Sequence, residues 1–381
     1  MVFAALTRSW CQAQASSASC RFIPLSSTHL RRTFSLTIPP HASSTVALVA
    51  RLRKETQCSI TKAREAIAAT GSSSYEEALK WLNNDLAQSG AKKAAKVGSR
   101  VAAEGLVGVI STDSRAALVE VNAETDFVAR SKDFSELVQR IGATALVVGE
   151  DVVAAAGTPS SSIVEIPLDG LLACPALPPA SATSPAVDFD GKTVQESIVE
   201  TIGKLGENIK IRRAAVTVAS PNASGATFVG GYVHSGGDGS IPAGLGRIGA
   251  LAMLEATPAS SLTSTSSTSL SRLARQLAQH IVGFDPAVVS ESGLERAVQK
   301  EKSARLDGES EQEHLDRVVL LRQQFIFGNG TVKEVLKQAE QQIGPDASIV
   351  IKEFVRWECG EGIDKKEDNF AEEVMKQAGM A

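Results

Sequence analysis

Thr125, Asp126 and Phe127 stand inside a run, VEVNAETDFVAR over residues 119–130, whose character changes within a few positions. Val119 and Val121 alternate with polar residues as in a half-buried strand. Asn122, Glu124, Thr125 and Asp126 then form a polar turn before a helical pattern begins. An aromatic side chain set among such residues is badly placed to fill a core and well placed to enter another molecule. Beside it, Asp126 offers either an anion for polar groups of that molecule or a cap for the following helix. Burying one Phe is worth roughly 1.5–3 kcal/mol, about a ten- to hundredfold shift in an equilibrium. The chemistry on offer is binding.

Other motifs point away from catalysis. Gly191-Lys192-Thr193 has the tail of a phosphate-binding loop, but Ala186 occupies the place of its first Gly and no strand precedes it. Thr193 is better used as a helix cap. The Gly-rich stretch over 230–246 lacks a GxGxxG opening a helix and reads as a hairpin loop. The five His are scattered, none beside a Ser or Cys that it could activate. Cys11, Cys20, Cys58, Cys174 and Cys359 form no CxxC pair and no metal-ligand spacing, so free thiols in a reducing compartment are expected. No enzyme activity, metal or cofactor is expected.

At 381 residues, with ordinary apolar and charged fractions, the chain can build two or three domains. No apolar run approaches the roughly 20 residues of a membrane span. A net charge of −4 disfavours nucleic-acid binding. Charge is unevenly placed: residues 1–54 contain no Asp or Glu, yet carry Arg8, Arg21, Arg31 and Arg32 among many Ser, Thr and Ala. That is the composition of an organelle transit peptide. Arg32-Thr33-Phe34-Ser35 resembles a mitochondrial processing site with cleavage after Phe34, which predicts a mitochondrial matrix protein. A chloroplast address and a plain disordered tail are the alternatives. Loss of residues 1–34 removes four Arg and takes the net charge from −4 to −8, which disfavours a ribosomal component.

The elements that must position Phe127 follow from periodicity, and the fold class is α+β. Residues 1–45 are assigned to the transit peptide and a disordered start. Residues 46–90 read as a three-helix, ubiquitin-associated-like bundle: a helix over 46–56, a second after Ser59, and a third opened by Ser74 and Glu77. A basic linker follows over 91–100 (AKKAAKVGSR occupies 91–100). Two related β-β-α-α-β subdomains then occupy 101–222 and 223–381. In the first, strands over 105–110 and 116–121 precede a helix bearing Phe134, Leu137, Val138 and Ile141, a helix capped by Thr193 and Glu196, and a strand over 209–218. In the second, strands over 230–234 and 248–254 precede a helix from Leu270 to Ile281, a helix capped by Thr331 and Glu334, and a strand over 348–357. Three insertions interrupt this plan: an Ala/Ser/Pro-rich flexible segment over 151–190, a Ser/Thr loop over 257–271, and a short helical hairpin over 286–326. A C-terminal helix is expected over 364–378.

The chain resembles the elongation factor Ts family at separated points in the right order. ALVARLRKET and SGAKKAAK match the family's opening; TDFVAR follows, then GENIKIRR over 206–213. Tyr232 and His234 precede Ile248-Gly249, and Gly360-Glu361-Gly362-Ile363 comes near the end. The resemblance covers residues 46–381 apart from the three insertions. It implies a guanine-nucleotide exchange factor acting on mitochondrial elongation factor Tu, in its GDP-bound and nucleotide-free forms, without direct contact to nucleic acid or membrane. It implies that Phe127 inserts between helices of that GTPase near its Mg²⁺ and phosphate site, with Thr125 and Asp126 beside it. It also implies partner contacts at Arg53 and Ile60 in the bundle, at His234, and at Phe370 and Val374 in the C-terminal helix. The chain departs from the family's pattern at Thr56-Gln57, where a Thr-Gly turn is usual, and at Gln324-Phe325, where Pro-Phe is common. A ubiquitin adaptor and a phosphate-binding transferase are the rival readings. The first predicts ubiquitin affinity without effect on GDP release, the second nucleotide binding by the chain alone.

Overall fold

The computed structural model describes residues 40–364 apart from 57, 72–73, 113, 156–161, 180–188, 190, 220–224, 237–238, 240 and 295–303. Of the expected transit peptide and disordered start over 1–45, residues 1–39 lie outside them. Residues 40–45 are helical, so the first helix begins six residues before its expected start at 46. The expected C-terminal helix lies outside the described residues from residue 365 on. The chain divides into two compact units, one ending at Tyr75 and the other starting at Glu76.

The first unit holds α1 (Pro40–Thr56) and α2 (Ile60–Thr70). Helix α2 begins where Ser59 accepts a hydrogen bond from the Lys62 amide and ends at Gly71, whose φ of 57° suits a residue without Cβ. Leu52, Ala63, Ala66 and Ile67 are buried. Tyr75 donates its hydroxyl to Glu55, and the Arg51 guanidinium lies 3.9 Å above the Tyr75 ring. Of the three helices expected over 46–90, two fall in this unit and the third begins the next.

In the second unit the elements run α3 (Tyr75–Val97), β1 (Glu104–Ser111), β2 (Arg115–Ala123), α4 (Asp126–Ala129), α5 (Lys132–Ala155), β3 (Val164–Glu165), α6 (Leu168–Ala173), α7 (Val194–Leu205) and β4 (Lys210–Val218). They continue with β5 (Ala226–His234), β6 (Leu245–Gly246), β7 (Ile248–Thr257), α8 (Ser264–Phe284), α9 (Glu311–Val318), α10 (Val332–Ile343) and β8 (Ser348–Glu358). One antiparallel sheet has the order β3-β4-β2-β1-β6 and the other β5-β7-β8. Strands β1-β2-β4 and β5-β7-β8 run in like order within their sheets, and each sheet shifts register once, at Glu120/Val121 and at Met253/Leu254.

Strand alternation builds the layers. Leu106, Val119 and Val121 join Phe134, Ile141 and Ile198 in a core between the first sheet and helices α5 and α7. Val107, Val109 and Leu118, from the same two strands, meet Leu251, Met253 and Trp357 of the second sheet. Leu254 and Ile351 pack on the far side against Leu277 of α8 and Leu336 of α10. Helix α8 lies so close to β5 that a Cβ at Gly230 would stand 2.0 Å from the Ala274 carbonyl oxygen. Only glycine allows that approach.

Several expected boundaries move. Helix α3 runs to Val97, so most of the expected basic linker is helical, and its second half packs on α7: Lys93 reaches the Gly203 carbonyl at 2.5 Å. The segment expected to be a flexible excursion over 151–190 holds the end of α5, strand β3 and helix α6, with Ile163, Ile166 and Leu171 buried. The expected Ser/Thr loop over 257–271 is largely the start of α8, whose Thr263 and Ser266 form a reciprocal cap. Of the expected hairpin over 286–326, the described residues form one α-helix, α9, flanked by short 3-10 turns. Among the described residues no helix is long and apolar enough to cross a membrane.

Candidate functional site

Strand β2 delivers the chain to the site. It ends at Ala123, and α4 starts three residues later as a single four-residue turn. Thr125 is the N-cap: its extended backbone turns the chain, and its hydroxyl oxygen accepts a hydrogen bond from the Val128 amide at 3.3 Å. The cap is therefore Thr125 and not Asp126, the position considered for that task from the sequence. Asp126 instead sits in the first turn, 3.5 Å from the Arg130 guanidinium.

The turn has two opposite faces. Val128 and Ala129 are buried in the core beneath it, while Phe127 is 84% exposed. Phe127 is the most exposed large apolar side chain in the described structure. Its backbone is held by local bonds, from the Ala129 amide to Thr125 and from the Arg130 amide to Asp126, at 3.2 and 3.1 Å. Ser131 then caps α5 through the Phe134 amide at 3.3 Å.

The loop joining α7 to β4 reaches across to this turn. Gly206, at φ 79°, ends α7 in the left-handed region and aims Glu207 and Asn208 back at the end of β2. The Glu207 carboxylate accepts from the Thr125 amide at 3.0 Å and from the Thr125 hydroxyl at 2.7 Å. In the reverse direction the Asn208 amide donates to Glu124 at 2.7 Å, and the Asn208 side chain donates to the Arg100 carbonyl at 2.7 Å. These contacts cross 82, 84 and 108 positions of sequence.

Phe127 stands on the wall of an open groove that also presents Arg100, Glu104, Asp126, Arg130 and Arg247. The charges are paired along it: Arg100 with Glu124 at 3.4 Å, Arg130 with Asp126, and Arg247 with Glu104. Ser235 and Gly236 line the same groove, so the segment leaving β5 at the exposed His234 converges on the Phe127 turn. Arg53 and Ile60 belong to the first unit, where Arg53 is exposed and Ile60 is 46% exposed. Phe370 and Val374 lie outside the described residues. Glu207, Asn208 and Arg247 took no part in the site read from the sequence. Glu207 and Asn208 do fall in the GENIKIRR run, the one signal that could have singled them out.

Among the described residues no group of three or more His, Cys, Asp or Glu side chains is placed to hold a metal ion. What the site offers is an exposed phenyl ring on a fixed turn, rimmed by paired charges, a surface suited to docking.

Comparison with known proteins gives this class a family. The family model described as elongation factor TS matches residues 124–314, starting at the turn that carries Phe127. Elongation factor Ts of Parvibaculum lavamentivorans is 34% identical over 355 residues, covering 88% of this chain and 99% of the relative. The Xanthobacter autotrophicus protein of that name is 34% identical over 358 residues, with 89% and 100% covered, and that of Rickettsia bellii is 32% identical over 345 residues, with 86% and 95% covered. The chain belongs to the elongation factor Ts family.

Proposed function

We propose that this chain is a guanine-nucleotide exchange factor of mitochondrial translation elongation, which binds elongation factor Tu carrying GDP, promotes GDP release and is displaced by GTP. A GTPase holds its nucleotide through a phosphate-cradling loop and Mg²⁺. Release of GDP breaks no covalent bond, so it needs only a partner that binds the nucleotide-free form better than the loaded one. Linkage makes the effect reciprocal: whatever loosens GDP when the factor is bound also loosens the factor when nucleotide returns. Phe127 supplies the differential contact, entering the GTPase near the Mg²⁺ and phosphate site, with Asp126 beside it to engage polar groups there. Arg53, Ile60, His234, Phe370 and Val374 extend the contact.

The observation that carries this reading is the 84% exposure of Phe127 on a turn whose other side is buried in the core. An apolar side chain held out in water by a rigid mount is stabilised when a partner covers it. The mitochondrial assignment rests on residues 1–54, which have several Arg and no carboxylate. The test is release of a fluorescent GDP analogue from elongation factor Tu on adding the full chain. Acceleration is expected, and its absence would refute the exchange reading. Import of the chain into isolated mitochondria, with loss of its first residues, tests the compartment; exclusion from them would overturn it.

A further inference from the structure

We infer that Glu207 is a positioning residue for Phe127, acting through Thr125; this rests on the exchange reading above and deepens it. An exposed side chain is aimed by its backbone alone, because no neighbouring packing fixes it. The backbone here is a helix of one turn, a length that does not hold itself together in water. Its start therefore has to be held from outside.

Glu207 holds it in two ways. One carboxylate oxygen receives the Thr125 amide at 3.0 Å, and the other receives the Thr125 hydroxyl at 2.7 Å. The second bond sets the direction of the hydroxyl proton. With that proton committed to Glu207, a lone pair on the same oxygen is left to accept the Val128 amide, as the 3.3 Å contact shows. The cap on the Phe127 turn thus depends on an anion located in another loop. A carboxylate is the fitting group, since two donors from one residue meet two acceptor oxygens. A Gln in its place could still accept the amide, but its NH₂ would have to donate to the Thr125 hydroxyl, so the charge and the fixed direction of the hydroxyl proton would both be lost.

Glu207 itself is fixed from behind. Gly206 closes α7 through its amide to the Ile202 carbonyl at 2.8 Å, and the Asn208 amide is tied to Glu124, the residue just before Thr125. The two loops therefore exchange bonds, with Glu124 accepting from one and Glu207 from the other. Displacing either loop displaces the mount of Phe127.

The experiment uses the full chain with Glu207→Gln, Thr125→Val and Thr125→Ser, read by hydrogen exchange and by GDP release. Glu207→Gln and Thr125→Val should speed exchange of the Val128 amide by about tenfold, the loss expected when a helix N-cap is broken. Thr125→Ser, which keeps the hydroxyl, should not. Glu207→Gln should also slow factor-stimulated GDP release by about tenfold when Phe127 is present, and by nothing further in a Phe127→Ala background, because residues that act as one unit are not additive. Unchanged Val128 exchange in Glu207→Gln would overturn the proposal, whatever the activity. So would a full penalty persisting in the Phe127→Ala background, since Glu207 would then touch the partner by itself. A parent chain that left GDP release unaffected would sink the exchange reading, while hydrogen exchange would still decide whether the clamp exists.

Discussion

Phe127 and Val128 are neighbours in sequence and opposites in environment: the first is 84% exposed and the second 8%. The helical turn between Asp126 and Ala129 produces this split by pointing successive side chains about 100° apart. Substitution should therefore separate function from stability. Phe127→Ala should leave urea unfolding within about 0.5 kcal/mol of the parent. Val128→Ala, which removes two buried methyl groups, should cost about 2 kcal/mol.

Glu120 lies on β2, three residues before the strand ends at Ala123. Its carboxylate is fully buried and accepts from Arg212 at 3.0 Å, from Arg213 at 2.6 Å and from the Gly360 amide at 2.8 Å. It thereby ties β2 to β4 and to the turn after β8. Glu120→Ala should destabilise the chain by about 3 kcal/mol, because it removes the buried carboxylate that the Arg212 and Arg213 guanidinium groups share. The midpoint of urea unfolding measures this, and a loss below about 1 kcal/mol would contradict the role given to the carboxylate.

Burial holds the His280 imidazole below its usual titration range, against a smaller opposing pull from Gln323, whose side-chain oxygen lies 3.0 Å from Nε2. The ring is stacked on Phe284 with centroids 4.5 Å apart. A folded pKa below the unfolded value means that the unfolded chain binds more protons. The stability from this group is fully present above about pH 6.5 and is lost as pH falls below that value. Unfolding followed between pH 7 and pH 5 should show a slope of up to about 1.4 kcal/mol per pH unit from this site. His280→Gln should remove that component, whatever its effect at neutral pH.

The Cys359 thiol is buried and pushed up to about 12, first by burial and then by the nearby Glu120 charge. Cys58 and Cys174 are half-buried. Alkylation at pH 8 followed by peptide mapping should label Cys58 and Cys174 in the folded chain and Cys359 only after unfolding. Rapid labelling of Cys359 in the native state would place it outside the core.

Much of the frame was legible because it is written in local pattern. The boxes Thr193/Glu196 and Thr331/Glu334 open α7 and α10 as their spacing predicts. The paired strands lie where alternation placed them, longer by a few residues. The Ser/Thr run from Ser264 misled because those residues favour caps and turns, yet Leu270, Leu273 and Leu277 bury one face of α8 and override that preference. Composition likewise hid the structure within 151–190, where a few buried anchors, Ile163, Ile166 and Leu171, sit among Ala, Ser and Pro. At the site, Phe127 was readable as an aromatic in a polar turn. Glu207 was not, since its bond to Thr125 spans 82 positions and leaves no periodic trace.

The central claim is that one exposed phenyl ring carries the exchange. GDP release from elongation factor Tu, followed by fluorescent nucleotide at saturating factor, compares the full chain with Phe127→Ala most directly. Release should be fast with the parent and about ten- to hundredfold slower with the variant, the worth of burying a phenyl ring. Equal acceleration by both would contradict the claim and move the work to other contacts.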